Sequence, residues 1–303
     1  MEYTRSIERS FPMPAGGLVR IQNRRGETVI RGEDRDDIVV TARIRINAMT
    51  RQEAEDRFDA FELPMREGER SVEIGPPRYD EPHPAVLLGF SFSRFMKGPR
   101  LDLLVRVPRE IEVEAENQTG RLRLDGIVGR CSLGTQRGTV EALNVEGELK
   151  IEGKTGRLEA RHIKGPLKLE ARSGKVTVED VRGNVEISAS TGSVEIADVV
   201  GECQAKTRTG RIRLHDIDGP MQLQAKTGSV EYTGRMVHDA NIRVRTGAVV
   251  LAITRDSAFF IDAETRTGPV SADLPVNYLE KPPDDAATVR VRTTTGSIQI
   301  RLA

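Results

Sequence analysis

Residues 154–174 read KTGRLEARHIKGPLKLEARSG, and three glycines in that stretch, Gly156, Gly165 and Gly174, stand nine residues apart. Working outward, the count holds. Gly120, Gly138, Gly156, Gly174, Gly192, Gly210 and Gly228 are spaced by 18, and Gly129, Gly147, Gly165, Gly183, Gly201 and Gly219 fall nine residues after the first six. Thr or Ser precedes each glycine of the first series except at Arg137-Gly138. Two phased glycine series of this length are the mark of a stacked repeat.

The apolar residues keep the same phase: two, four and seven positions after the first glycine, then two and four after the second. In the opening stretch these are Leu158, Ala160, Ile163, Leu167 and Leu169. Alternation of apolar and polar residues is the period-two signature of a strand with one buried face. The unit is therefore two short strands and two corners. One such unit has nowhere to hide its apolar side, whereas copies stacked about 4.8 Å apart enclose it and pair every backbone group with the next rung. The expected fold is all-β, a parallel β-solenoid with about 18 residues per rung, flattened into a two-sheet β-helix. Small side chains at Ala142, Ala160, Ala171, Ala189, Ala205 and Ala225 imply a thin core without aromatics.

Three regions follow. Residues 1–46 hold strands that start the solenoid, because Val19, Ile21, Gly26, Thr28 and Ile30 fit the repeat offsets and DDIVVTARIRI supplies a further strand. Residues 47–100 break the pattern as an insertion. In it Thr50 and Glu53 form a capping box ahead of a short helix in RQEAEDRFDAF, and the apolar VLLGFSFSRFM (86–96) reads as a cap over the solenoid end or a partner patch. Residues 101–303 are the regular solenoid, with longer loops after 228. Corner glycines recur at Gly247, Gly268 and Gly296 at spacings of 19, 21 and 28, so PVNYLEKPPDDA (275–286) reads as a loop. The C-terminal SIQIRLA is expected at an incompletely covered end, where a second copy could pair.

Composition limits the function. Forty-six basic residues balance 46 acidic ones in 303, so no net field draws nucleic acid or an anionic membrane; membrane contact would have to be local. Aromatics make up 4% and Trp is absent. The N-terminus lacks the apolar run of a signal peptide or membrane span, which as written points to the cytoplasm, with envelope association as the alternative. Cys131 and Cys203 occupy one interior column four rungs apart, beyond disulfide reach.

VRIQNRRGETVIRGEDRDDIVVTARIRI, then LLVRVP ahead of EIEVEAENQTGRLRL, then serial TG corners, together resemble the bacterial "putative adhesin" domain-of-unknown-function family of β-strand-repeat proteins. The resemblance spans nearly the whole chain. It implies a β-helical solenoid without known catalysis, in some members associated with the cell envelope or its stress systems.

Several columns could carry function. Lys154, Arg172, Arg208, Lys226, Arg245 and Arg266 each stand two residues before a corner glycine, and stacking would gather them into a stripe for a polyanion; a solvated edge of alternating charge is the plainer reading. Phe90, Phe92 and Phe95 form the cap or partner patch. Asn144, His162, Asp180, Asp198 and Asp216 share one position, read as left-handed turn residues rather than as a cation ladder. The four histidines show no metal spacing, and no nucleophile elbow, phosphate loop or paired-acid motif occurs. No catalytic residue, metal or cofactor is expected. The expected function is a non-enzymatic scaffold or protein-interaction module, linked to envelope stress or adhesion, with self-association through the solenoid ends. A polyanion- or glycan-binding surface is the alternative, and a carbohydrate-active enzyme the remaining one.

Overall fold

The structure is a computed structural model, and it describes residues 1–79, 86–87, 90–91, 98–254, 257, 259–273 and 287–303. The aromatic patch of Phe90, Phe92 and Phe95 and the loop 275–286 lie outside the residues whose side chains are described. The chain is a parallel β-solenoid, formed in two compact units, residues 1–141 and 142–303.

In the second unit, Leu149–Lys164, Leu167–Arg182, Val185–Val200, Cys203–Asp218 and Met221–Gly234 are successive rungs in parallel register. Leu149 faces Leu167, Leu167 faces Val185, and Gly156, Gly174, Gly192, Gly210 and Gly228 line up one above another. The apolar offsets point inward as expected: Leu158, Ala160, Ile163, Leu167 and Leu169 are all buried. Each rung is one long strand that bends at the first glycine, where two short strands were expected, because the backbone ladder continues through the corner.

Two features fix the corners. At the first, glycine is obligatory: Gly174 has φ +138° and a Cβ there would lie 1.7 Å from the carbonyl oxygen of Gly156. Six residues on, the chain turns through a left-handed residue, with φ between 47° and 56° at Asn144, His162, Asp180, Asp198 and Asp216. Asn and Asp tolerate that conformation best, and it accounts for the residue types in this column.

The core is not free of aromatics. Tyr232 sits four residues after Gly228, is 1% exposed, and stacks in register between Leu214 and Leu251. Its hydroxyl donates to the carbonyl oxygen of Arg235 just outside the rung, which gives the buried ring the partner it needs.

The C-terminal rungs depart from chain order. Ala240–Thr246 and Val249–Ile253 pair with Ala287–Thr295 and Ile298–Leu302, which in turn pair with Phe259–Thr267 and Val270–Asp273. The last segment of the chain is thus threaded between two earlier ones. SIQIRLA, expected at an open end, has both edges hydrogen-bonded; the terminal rung is residues 259–273. Ile298 and Ile300 are each 1% exposed, whereas Val270, in the same column, is 45% exposed. The more apolar pair takes the enclosed place and the less apolar pair the outer one.

The first unit builds its coil from a different chain order as well. Gly17–Glu33 pairs along both halves with Ile111–Val128, so Val19, Ile21, Gly26, Thr28 and Ile30 stack on Val113, Ala115, Gly120, Leu122 and Leu124. On its other side the rung is composite, with Ser71–Ile74 beside Leu18–Ile21 and Arg100–Pro108 beside Thr28–Glu33. Beyond Arg100–Pro108 the sheet turns antiparallel, through Asp37–Asn47 and then Glu2–Pro12. The buried amides of Asn23 and Asn117 close a network through Thr28, whose hydroxyl accepts from Asn23 and donates to Asn117. The helix Arg51–Asp59 begins as the capping box predicts: the Thr50 hydroxyl accepts from the Glu53 amide, and the Glu53 carboxylate accepts from the amide of Met49. Among the described residues no helix is long and apolar enough to cross a membrane.

If the corner stack sets the rung, Gly174→Ala destabilises the protein by about 3 kcal/mol, the order of backbone strain plus a clash with main chain. Gly134, whose added Cβ would meet nothing nearer than 3.4 Å, serves as control. Thermal unfolding monitored by circular dichroism should show a large drop for Gly174→Ala and a small change for Gly134→Ala.

Candidate functional site

Stacking converts sequence positions into columns, and the outward columns of the second unit differ sharply in how their charges are satisfied. After the corner glycine, cations and carboxylates alternate and pair. Lys175 bridges to Glu195 at 2.6 Å, Arg213 reaches Glu231 at 3.0 Å and Glu195 at 3.6 Å, and Arg211 reaches Glu231 at 3.3 Å. One turn further, Arg161 meets Glu179 at 3.3 Å. Such exposed pairs contribute little to stability, but they leave that face electrically quiet.

Before the corner glycine the picture inverts. Lys154, Arg172, Arg208, Lys226, Arg245 and Arg266 are all exposed, and among the described residues none makes an ion pair or a hydrogen bond through its side chain. Register gives their order in space as Lys154, Arg172, Ser190, Arg208, Lys226, Arg245, Thr294 and Arg266. The structure thus brings Arg208, Lys226 and Arg245 onto three consecutive rungs and Lys154 and Arg172 onto two. It separates Arg266 from Arg245 by the threaded C-terminal rung, a break that chain order alone hides. Cationic tips held at the rung spacing of about 4.8 Å repel by about 0.9 kcal/mol per neighbouring pair in water. A bound anion would relieve that repulsion.

A shallow groove of about 540 Å³ lies on the other side of the corner, lined by Thr209, Gly210, Thr227 and Gly228 together with Glu195, Arg211 and Arg213 of the ion-paired face, and none of the column cations lines it. Three corner glycines, Gly192, Gly210 and Gly228, are part of that lining, and the absence of side chains there lets a ligand approach the backbone.

Other candidates resolve into structure. The ligand atoms of Asp198, His215 and Asp216 lie within 4.8 Å of one another on the exposed left-handed corner, where His215 pairs with Asp216 at 3.0 Å and His162 with Asp180 at 2.7 Å. The left-handed turn accounts for His162, Asp180, Asp198 and Asp216 without a metal. Cys131 and Cys203 are fully buried free thiols, and burial, with a smaller contribution from a nearby glutamate, pushes each up to about 12. A thiol so raised stays protonated and is a poor nucleophile.

The sequence profile of the family described as Toastrack DUF4097 matches residues 20–301. No curated protein matches the chain. Among solved structures, it is similar to "a putative cell adhesion protein" from Clostridium sporogenes, at 11% identity and TM-score 0.22 over 99% of this chain and 100% of that one. It is also similar to "a putative adhesin" from Bacteroides fragilis, at 8% identity and TM-score 0.33, covering 99% and 97%. A "putative lipid binding protein" from Parabacteroides distasonis gives 12% identity and TM-score 0.33, covering 96% of each chain. None is similar enough for a ligand to be carried over to this chain.

The thiol environment gives a direct check. Native protein at pH 8 should leave both cysteines unmodified by iodoacetamide, with two alkylations by mass spectrometry after denaturation; prompt labelling of the native protein would refute the burial. Because the folded pKa lies above the unfolded one, the thiols' contribution is complete below about pH 9 and is lost as pH rises toward about 12, so alkali destabilises the fold.

Proposed function

The chain belongs to the Toastrack DUF4097 family, and on that premise we propose that it is a non-enzymatic binding scaffold that holds a linear polyanion along its basic corner column. One observation carries the reading: the six column cations stand exposed and unpaired among the described residues, while the cations Lys175, Arg211 and Arg213 on the adjoining face are neutralised by Glu195 and Glu231. A protein that needed only a solvated edge could have paired both faces alike.

The chemistry of the remaining groups favours binding over turnover. The two thiols are buried and protonated, and His162, His215 and His238 are exposed and paired with Asp180, Asp216 and Asp218. The solenoid offers rigidity instead. Side chains on consecutive rungs of one sheet are held at a fixed repeat, so a polymer with a regular charge spacing meets them without much ordering of the protein. Binding of this kind is driven by release of counterions and weakens steeply with salt.

Titration of sodium polyphosphate against the full chain tests the proposal. The variant carrying Arg208→Gln, Lys226→Gln and Arg245→Gln should lose at least about tenfold in affinity and about 2 in the slope of log K against log salt, as expected for removing three charge contacts. Absence of binding by the wild type, or a salt slope untouched by the three substitutions, would contradict it.

A further inference from the structure

The corner column is one margin of a wider surface. Three consecutive rungs, Cys203–Asp218, Met221–Gly234 and Ala240–Thr246, present three outward positions each on the strand that enters the corner. The first rung shows Gln204, Lys206 and Arg208, the second Gln222, Gln224 and Lys226, and the third Asn241, Arg243 and Arg245. Register places Gln204, Gln222 and Asn241 in one row, and Lys206, Gln224 and Arg243 in the next. The nine side chains comprise five cations and four amides, with no carboxylate and no apolar group. On the rung before, Glu186 and Ser188 occupy the two rows. On the rung after, Arg290 lies beside Asn241 and Arg292 beside Arg243, and Arg292 is engaged by Asp262 and Glu264 of the rung beyond.

We propose that this face, Gln204 to Arg245, binds a linear acidic polysaccharide; the inference rests on the polyanion reading of the corner column and names its ligand class. Lys206 and Arg243, like the corner cations, form no ion pair among the described residues. They stand in the row beside the column, which makes the charge two-dimensional where a phosphate thread would need one line. The amides supply what a simple polyelectrolyte does not use. Each carries two donors and a carbonyl acceptor, the complement of sugar hydroxyls, while Arg forks match carboxylates or sulfates. Gln204 donates to Glu202 at 2.8 Å, and Gln222 stands 3.4 Å from the same carboxylate, which fixes the amide row at its outer margin. Gln224 and Asn241 make no side-chain hydrogen bond among the described residues and are available to a ligand.

The same nine positions weigh against the other polyanions. No aromatic side chain is present for bases to stack on, and no apolar side chain is present to enter a bilayer. A flat, rigid sheet with amides between its cations suits an extended ligand whose charges are separated by hydroxyl-bearing rings.

The test uses the full chain, polygalacturonate as probe, polyphosphate of matched chain charge as comparator, and dextran as the uncharged control. Two variants lie outside the corner column: Lys206→Gln with Arg243→Gln, and Gln222→Ala with Gln224→Ala. All four residues are exposed, and unchanged thermal unfolding confirms that the variants fold. The cation pair should lower polygalacturonate affinity about tenfold. The amide pair should lower it about fivefold, the worth of a net hydrogen bond, without changing the salt slope and with little effect on polyphosphate. Dextran should not compete. The inference is overturned if the amide pair leaves polygalacturonate binding unchanged, or if oligo-dT or phosphatidylglycerol vesicles bind and polygalacturonate fails to displace them. Binding of polyphosphate without polygalacturonate overturns this inference alone, whereas failure of both polymers to bind overturns the corner-column reading too.

Discussion

The structure depends on the contact of one corner glycine with the next. Where Gly174 passes over Gly156 there is no room for a Cβ, since it would lie 1.7 Å from a backbone oxygen, and Gly192 over Gly174 and Gly210 over Gly192 repeat the same approach at 1.8 and 1.7 Å. That approach, in a region of φ open to glycine alone, permits the chain to bend without leaving the ladder. It also fixes the register: a residue added within the ladder would carry a side chain into the corner and turn every inward residue outward, and the one extra residue in the step from Gly228 to Gly247 falls outside the ladder, between Gly234 and Ala240. Interior packing then follows from register rather than from bulk, which is why Val, Ile, Leu and Ala make up most of it, and Tyr232 is accommodated where its hydroxyl can reach out of the core.

The same register creates the surface. Residues 18 apart in sequence become neighbours on one edge, so a modest compositional bias at one offset becomes a line of charge. Elsewhere on the solenoid opposite charges share rows and cancel, as Glu195 does between Lys175 and Arg213. Between Gln204 and Arg245 the carboxylates are missing from two rows at once, and amides fill the remaining places. A chain with no net charge thereby holds a local cationic field on one face.

Much of this was legible in the sequence because the determinants are local and periodic. Gly156, Gly165 and Gly174 announce the rung, Leu158 to Leu169 its interior, Thr50 and Glu53 the helix start, and the Asn144-to-Asp216 column its left-handed turn. What escaped was long-range order. Val270/Ala272 and Ile298/Ile300 both satisfy the interior offsets, so nothing local says which pair lies deeper; the clue was that two isoleucines have more to gain from enclosure than a valine and an alanine. The spacing of 28 before Gly296, ten more than a rung, supplies the chain needed to travel back. The composite rung of Ser71–Ile74 and Arg100–Pro108 escaped for the same reason. The amide and cation face was hidden because scanning one column at a time shows Lys154 to Arg266 but misses Lys206 and Arg243 beside it.

The central claim is that a fixed 18-residue rung brings these cations into one column. It is tested most directly by the distance between spin labels at Lys154→Cys and Arg245→Cys, positions separated by five rung steps, with the buried native thiols left unlabelled. Electron–electron resonance should give a single maximum near about 24 Å, five times the strand spacing. A maximum beyond about 35 Å, or a broad distribution without one, would contradict the stacking on which the column and its neighbouring face depend.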